Sequence, residues 1–147
     1  MATIDRFSAS QAVAELMPNI IRGVQLDFFL RRRITQTQLL VLLAVRAYGR
    51  CTMGTLANSL HVRMPTTTGI VGRLLKAGLL RRYPHPEDRR QVLVELTPKG
   101  RSFIQRFQGV IRHRWQEVLR SLGPGELSAF YHVVTKLRDR LQQGTSP

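Results

Sequence analysis

The chain has 147 residues, the size of one ordinary domain, and carries 23 Lys and Arg against 9 Asp and Glu, a formal charge of +14. An apolar share of 43% excludes a disordered basic tail, and the longest uninterrupted apolar run, Leu39–Val45, is too short to span a bilayer. One cysteine, Cys51, excludes a disulfide framework and a multi-cysteine zinc cluster, and without a secretory leader pattern the expectation is a cationic, cytoplasmic globular protein.

The first segment, about Ser8 to Arg32, reads as helix: Ser8 and Gln11 have capping-box spacing, and Val13, Leu16, Met17, Ile20, Ile21, Val24 and Phe28 recur at helical intervals. Pro18 inside that pattern either kinks the helix or marks its start. After a link at Arg33-Ile34, Thr35 and Gln38 form another capping box, opening a helix to about Tyr48 that stops at Gly49. Apolar nearly all round, through Leu39, Leu40, Leu42, Leu43 and Val45, it reads as the buried central helix. Arg50-Cys51-Thr52 has room for one strand-like rung. Thr52 then caps a short helix to about Leu60, His61-Val62-Arg63 makes a turn, and a second helix follows with Pro65 at its first position and Gly78 as its stop. Two short helices joined by a tight turn form a helix-turn-helix.

Two strand-like pieces, Leu79–Tyr83 and Gln91–Leu96, flank the polar turn 84–90, and a hairpin in this place is a wing. In the second piece Val92 and Val94 alternate with Leu93 and Glu95. Thr97-Pro98 opens a long helix bearing Phe103, Phe107, Val110, Ile111, Trp115, Val118 and Leu122, which Gly123-Pro124-Gly125 breaks. Leu127, Phe130, Tyr131, Val134, Leu137 and Leu141 stripe a last helix to about Gln142, and 143–147 is expected to fray.

The charge is concentrated. The 59 residues between Asp27 and Glu87 contain no acid and ten basic residues, from Arg31, Arg32 and Arg33 through Arg63, Arg73 and Lys76 to Arg81 and Arg82. Such a field attracts a polyanion, with counterion release from phosphates as the driving force.

This order of elements resembles the MarR family of winged helix-turn-helix transcriptional regulators. The likeness covers most of the chain and is most specific from Ile34 to Arg101. It rests on Ile34-Thr35-Gln36-Thr37-Gln38, Thr55-Leu56-Ala57, Thr68-Gly69-Ile70-Val71-Gly72-Arg73-Leu74 and Gly78-Leu79-Leu80-Arg81-Arg82. Pro86-Glu87-Asp88-Arg89-Arg90 and Leu96-Thr97-Pro98-Lys99-Gly100-Arg101 complete it. The fold it implies is mainly α with a small β-hairpin: a winged lobe at 34–96, recognition helix about 65–77, wing about 79–96, and dimerisation helices at 1–33 and 97–147. It further implies a homodimer on a palindromic double-stranded DNA operator, more often a repressor, relieved by a small aromatic or anionic molecule. Gly72 departs from a family position that is frequently acidic, and Met64 from one that is often a small polar cap.

On the recognition helix, Ile70, Val71 and Leu74 face inward, leaving Thr66, Thr68, Arg73 and Lys76 toward the DNA. Thr68 can donate to a phosphate or touch a thymine methyl, Arg73 can reach guanine or clamp the backbone, and Arg63 in the turn suits a phosphate. Thr66 and Thr67 can equally serve capping or packing. At the wing tip, by the resemblance, Asp88 orients Arg90, with Arg89 beside it, for entry into a narrow minor groove. For a ligand, Arg22, Phe28 and Phe29 offer an anion partner and an apolar wall. Cys51 reads as a small hydrophobe. The histidines at 61, 85, 113 and 132 have no metal-ligand spacing, so neither metal nor cofactor is expected. No nucleophile elbow, metal motif or phosphate loop points to an enzyme. The alternative to a regulator is a sequence-tolerant architectural DNA-binding protein without ligand control.

Overall fold

The computed structural model describes residues 4–29 and 34–143; the expected first-helix end at Arg32, the link residue Arg33 and the terminal residues 144–147 lie outside them. Two compact units divide the chain at Ile111, and each is described by itself.

In the first unit, α1 spans Arg6–Val24 and passes into a π-helical turn at Gln25–Phe29. The helix begins two residues before the expected cap. Asp5 is the N-cap and accepts the Ser8 amide at 2.8 Å, which makes Ser8 the donor in the first turn. A carboxylate at the positive end of the helix dipole wins over a serine. Hydrogen bonding from Ser8, through its side chain and its amide, holds the Asp5 carboxyl below its ordinary range. The helix runs through Pro18, so that residue is not its start. Only Ile20, Gly23 and Val24 of α1 are buried, while Ile4, Phe7, Val13, Met17 and Ile21 stay exposed.

Helix α2 (Gln36–Tyr48) has the expected reciprocal capping box between Thr35 and Gln38, and Gly49 closes it at φ 72°, a left-handed angle that favours glycine. Leu39, Val41, Leu42 and Val45 are buried, but Leu40 is half exposed, so α2 is central on one side only. β1 (Arg50–Thr52) follows, then α3 (Met53–Ser59), capped by Thr52, and α4 (Met64–Lys76). The turn between α3 and α4 holds His61 at φ 51°, the one non-glycine in the left-handed region among the described residues. β2 (Leu80–Pro84) and β3 (Val92–Leu96) form the hairpin. β1 adds a third strand: the sheet order is β1-β3-β2, all antiparallel, with Cys51 opposite Val94 and Arg82 opposite Val94 on the other edge. Leu93 is buried along with Val94, whereas Val92 lies exposed toward the hairpin tip, so the expected two-residue alternation does not set burial in this strand.

The core joins Leu42, Val45, Leu56, Ile70, Leu74, Val94 and Ile104 with Phe28. α5 (Pro98–Leu119) contributes Phe103 and Ile104 from its first turns. In the second unit, α6 (Pro124–Gln143) buries none of its residues. The Trp115 and Phe130 rings lie 5.9 Å apart there. No described helix is long and apolar enough to cross a membrane.

Candidate nucleic-acid interface

Burial of Ile70, Val71 and Leu74 fixes the rotation of α4 about its axis. A 3.6-residue repeat then sends the opposite side to solvent. Pro65, Gly69, Gly72 and Lys76 form the outermost ridge, with Met64 and Thr68 on one flank and Thr66 and Arg73 on the other. All four predicted positions, Thr66, Thr68, Arg73 and Lys76, are exposed. Thr67 is fully buried and donates its hydroxyl to the Arg63 carbonyl at 3.2 Å, so its role is packing. The helix starts one residue earlier than expected. Met64 is its first residue, and Arg63 is an N-cap whose side chain makes no capping bond. Arg63 is exposed at the N-terminal end of the helix, where the first-turn amides lack intrahelical partners.

The ridge carries two glycines in the helix interior. A Cβ at Gly69 or Gly72 would meet nothing within 4 Å, so the fold itself does not demand glycine at either position. Each destabilises the helix by roughly 1 kcal/mol relative to alanine. What they provide is a backbone free of side chains on the outermost line.

At the wing tip, Asp88 acts on the backbone. Its Oδ1 accepts the Arg90 amide at 3.0 Å and its Oδ2 accepts Gln91 Nε2 at 3.3 Å, while its carbonyl accepts the Gln91 amide at 2.9 Å. The contact of Asp88 with Arg90 is therefore to the amide. An aspartate two residues before an amide closes a local turn more readily than it holds a long, mobile side chain. Arg89 and Arg90 are exposed and neither guanidinium is paired among the described residues. The turn fixes where the arginines leave the chain and leaves their heads available.

The base of the wing is held by charge. Glu95 on the central strand faces Arg50 on β1 and Arg81 on β2 in register. It pairs with Arg81, lies 3.9 Å from Arg50, and accepts the Tyr83 hydroxyl at 3.4 Å. Behind it, a joint ties α4 to α5. Thr97 Oγ1 donates to the Gly78 carbonyl at 2.6 Å and accepts the Gly100 amide at 3.0 Å, and the Thr97 amide donates to the Leu79 carbonyl at 3.1 Å. Lys99 Nζ reaches the Ala77 carbonyl at 2.8 Å, capping the C-terminal end of α4. Sequence reasoning found the Thr97 cap but missed the Lys99 anchor. A lysine two residues after a cap was its only signal.

Of the ligand candidates, the two phenylalanines pack against each other. Phe28 is fully buried, with its ring 5.1 Å from Phe103, 5.0 Å from Phe107 and 5.7 Å from Phe29. Its faces are spent on neighbouring rings, so it is core and not an open wall. Arg22 is exposed on α1. A cleft of about 300 Å³ opens elsewhere in the unit, lined by Arg46, Glu95, Leu96, Arg101, Ile104 and Gln105. Cys51 is buried, and burial pushes its thiol above the ordinary range, away from the reactive thiolate.

Comparison with known proteins agrees with this arrangement. The sequence pattern of the MarR family matches residues 34–92, from the residue before the cap of α2 through the first residue of β3. The HTH-type transcriptional repressor NicR of Pseudomonas putida is 32% identical over 107 residues, covering 73% of this chain and 68% of NicR. Among solved structures, the transcriptional regulator Tm0710 from Thermotoga maritima superposes with a TM-score of 0.81 at 24% identity, covering 97% of this chain and 99% of that one. A cysteine-to-serine mutant of E. coli MarR complexed with operator DNA gives 0.57 at 24% identity, covering 91% and 99%. The two structures carry the likeness of fold, and the multiple antibiotic resistance protein MarR of Salmonella typhimurium, 33% identical over 105 residues that cover 71% of this chain and 73% of that protein, carries the kinship: the chain belongs to the MarR family.

Proposed function

We propose that this chain is a sequence-specific double-stranded DNA-binding transcriptional regulator, acting as a homodimer on a palindromic operator in the cytoplasm. It represses by occupying the operator and is released by a small anionic molecule. The observation that carries the reading is the pairing, on one unit, of a solvent-facing α4 with Arg63, Arg73 and Lys76 and a wing tip whose Arg89 and Arg90 are unpaired. Together they present cations to phosphates and two kinds of groove-reading element. NicR, a relative named as a repressor, and a MarR structure holding operator DNA support the same role.

The dimer reading rests on apolar surface. α6 leaves Leu127, Tyr131, Val134, Leu137 and Leu141 exposed on one stripe, and α1 leaves Phe7, Val13, Met17 and Ile21. A second copy of the chain is the partner that buries such self-complementary faces. For the effector, the cleft beside Glu95 is lined by Arg46 and by Arg101, whose Nη1 also donates to the Leu96 carbonyl at 3.0 Å, together with Leu96 and Ile104. That composition suits an anion with a short apolar body. Because Glu95 also holds the wing strands together, a ligand there would act on wing position.

Fluorescence anisotropy on a selected operator and on an unrelated duplex, at matched salt, tests the function. The reading expects at least about a thousandfold preference for the operator. A ratio near one would favour the architectural alternative.

A further inference from the structure

We infer that the Met64–Thr68 flank of α4 reads thymine through its C5-methyl group, by apolar contact and not by hydrogen bonding. The inference rests on the DNA-binding reading above and assigns one part of its sequence preference. Met64 and Thr68 are four residues apart and therefore share one flank of the helix. Thr68 is exposed, but its hydroxyl proton is already committed: Oγ1 donates to the Met64 carbonyl at 2.9 Å. The group left to a base is its methyl, with the oxygen lone pairs as acceptors. Met64 is 46% exposed despite its apolar side chain, and it extends the methyl surface of Thr68 by one helical turn. The adjoining ridge is bare at Gly69 and Gly72, where even a Cβ would find nothing within 4 Å, so between Pro65 and Lys76 no side chain of the ridge stands beside this flank.

The other flank has the opposite chemistry. The Thr66 hydroxyl has no partner among the described residues, and Arg73 carries a full set of donors, so polar readout belongs on that side. In the major groove only thymine presents a methyl group, and a threonine methyl is a suitable surface against it. A thioether is polarizable and adapts its shape, which suits Met64 to the same contact. The two flanks of one short helix would thus divide the readout, methyl groups on one and hydrogen-bonding edges on the other.

Replacing thymine by uracil removes the methyl and nothing else, which gives a direct test. A duplex selected by the wild-type protein is resynthesised with each inner-half-site thymine changed singly to uracil, and affinities are measured by anisotropy at fixed salt. The wild type is expected to lose about fourfold at one or two positions, the factor for burying one methyl-sized group. Thr68→Val keeps the methyl and removes the hydroxyl, so it should retain that loss. Thr68→Ser and Met64→Ala should bind the thymine and uracil duplexes alike at the affected position. Both residues are exposed, and a melting curve confirms that each variant is folded. A wild type indifferent to every uracil substitution overturns the inference while leaving sequence-specific binding intact. So does a Thr68→Val variant that loses discrimination, because the hydroxyl would then be the reader. Failure to enrich any duplex removes the sequence-specific reading itself, and the inference with it.

Discussion

Substituting Gly100 by alanine tests whether the joint between α4 and α5 is as tight as its geometry implies. A Cβ at this position would sit 2.1 Å from the Leu79 carbonyl oxygen, 3.1 Å from its carbon and 3.1 Å from Leu96 Cδ2. Real Cβ atoms stay beyond 3.0 Å, and the obstructing atom is backbone, so it cannot swing aside. The Leu79 carbonyl also accepts the Thr97 amide at 3.1 Å, and that bond must lengthen or break if the chain moves. Overpacking of this kind costs about 1–3 kcal/mol. A buried carbonyl stripped of its donor adds about 1–3 kcal/mol, and alanine's better helix propensity returns up to about 1 kcal/mol. The net expectation is a loss of about 3 kcal/mol. For a chain of this length that lowers the melting temperature by roughly 6–12 °C. Thermal denaturation followed by circular dichroism, at equal protein concentration for wild type and Gly100→Ala, measures it. A variant melting within about 2 °C of wild type, with the same spectrum, would show that the joint yields freely and that the reasoning is wrong.

Gly72→Ala should act in the opposite sense: it adds about 1 kcal/mol of helix stability where the fold leaves open space, yet weakens operator binding by crowding the outer ridge. A Gly72→Ala variant that is both more stable and equally tight would remove the ridge from the interface. Arg90→Ala should erase A·T preference at the outer operator positions while leaving inner preferences intact, whereas Arg73→Ala should weaken binding by about 1–3 kcal/mol and relax one inner position. Selection profiles for the two variants that do not differ would contradict this division of labour. Asp88→Ala frees the Arg90 amide and the Gln91 side chain, so it should weaken binding even though it removes a negative charge near DNA; tighter binding would mean that the turn does not matter. Because burial holds the Cys51 thiol protonated, native protein should resist iodoacetamide at neutral pH and lose no operator affinity in peroxide. Rapid labelling of the native protein would contradict the burial.

The parts of this fold legible in the sequence are those set by local chemistry. Thr35 with Gln38, Thr52, Thr97-Pro98 and the stop at Gly49 each announce a helix boundary within a few residues, and Ile70, Val71 and Leu74 turn α4 so that its outer residues can be named in advance. What was not legible depends on distant partners or on competition between near-equal options. Arg50–Thr52 reads as a strand-like rung, but its partners Glu95, Val94 and Leu93, some forty residues later, do not show in the sequence. Phe28 looks like a candidate wall until Phe103 and Phe107, more than seventy residues later, close over it. Asp5 and Ser8 are both acceptable caps, and only the helix start decides between them. His61 does not announce a left-handed angle on its own, because only a few per cent of non-glycine residues adopt one even though histidine is among the enriched types. The family motif carried the wing assignment but not its mechanics: the sequence contains Asp88 and Arg90 at the right spacing without showing that the contact between them runs through the Arg90 amide.

Selection of duplexes from a random library with the wild-type protein, followed by footprinting of the winning sequence, bears most directly on the claim that two winged lobes read one operator. The account predicts an enriched inverted repeat whose half-sites lie about one helical turn apart, ~10 bp or a multiple of it, with protection extending outward into A·T-rich minor groove where Arg90 would enter. Enrichment of no motif, or of a single unrepeated half-site bound by one copy of the chain, would contradict it.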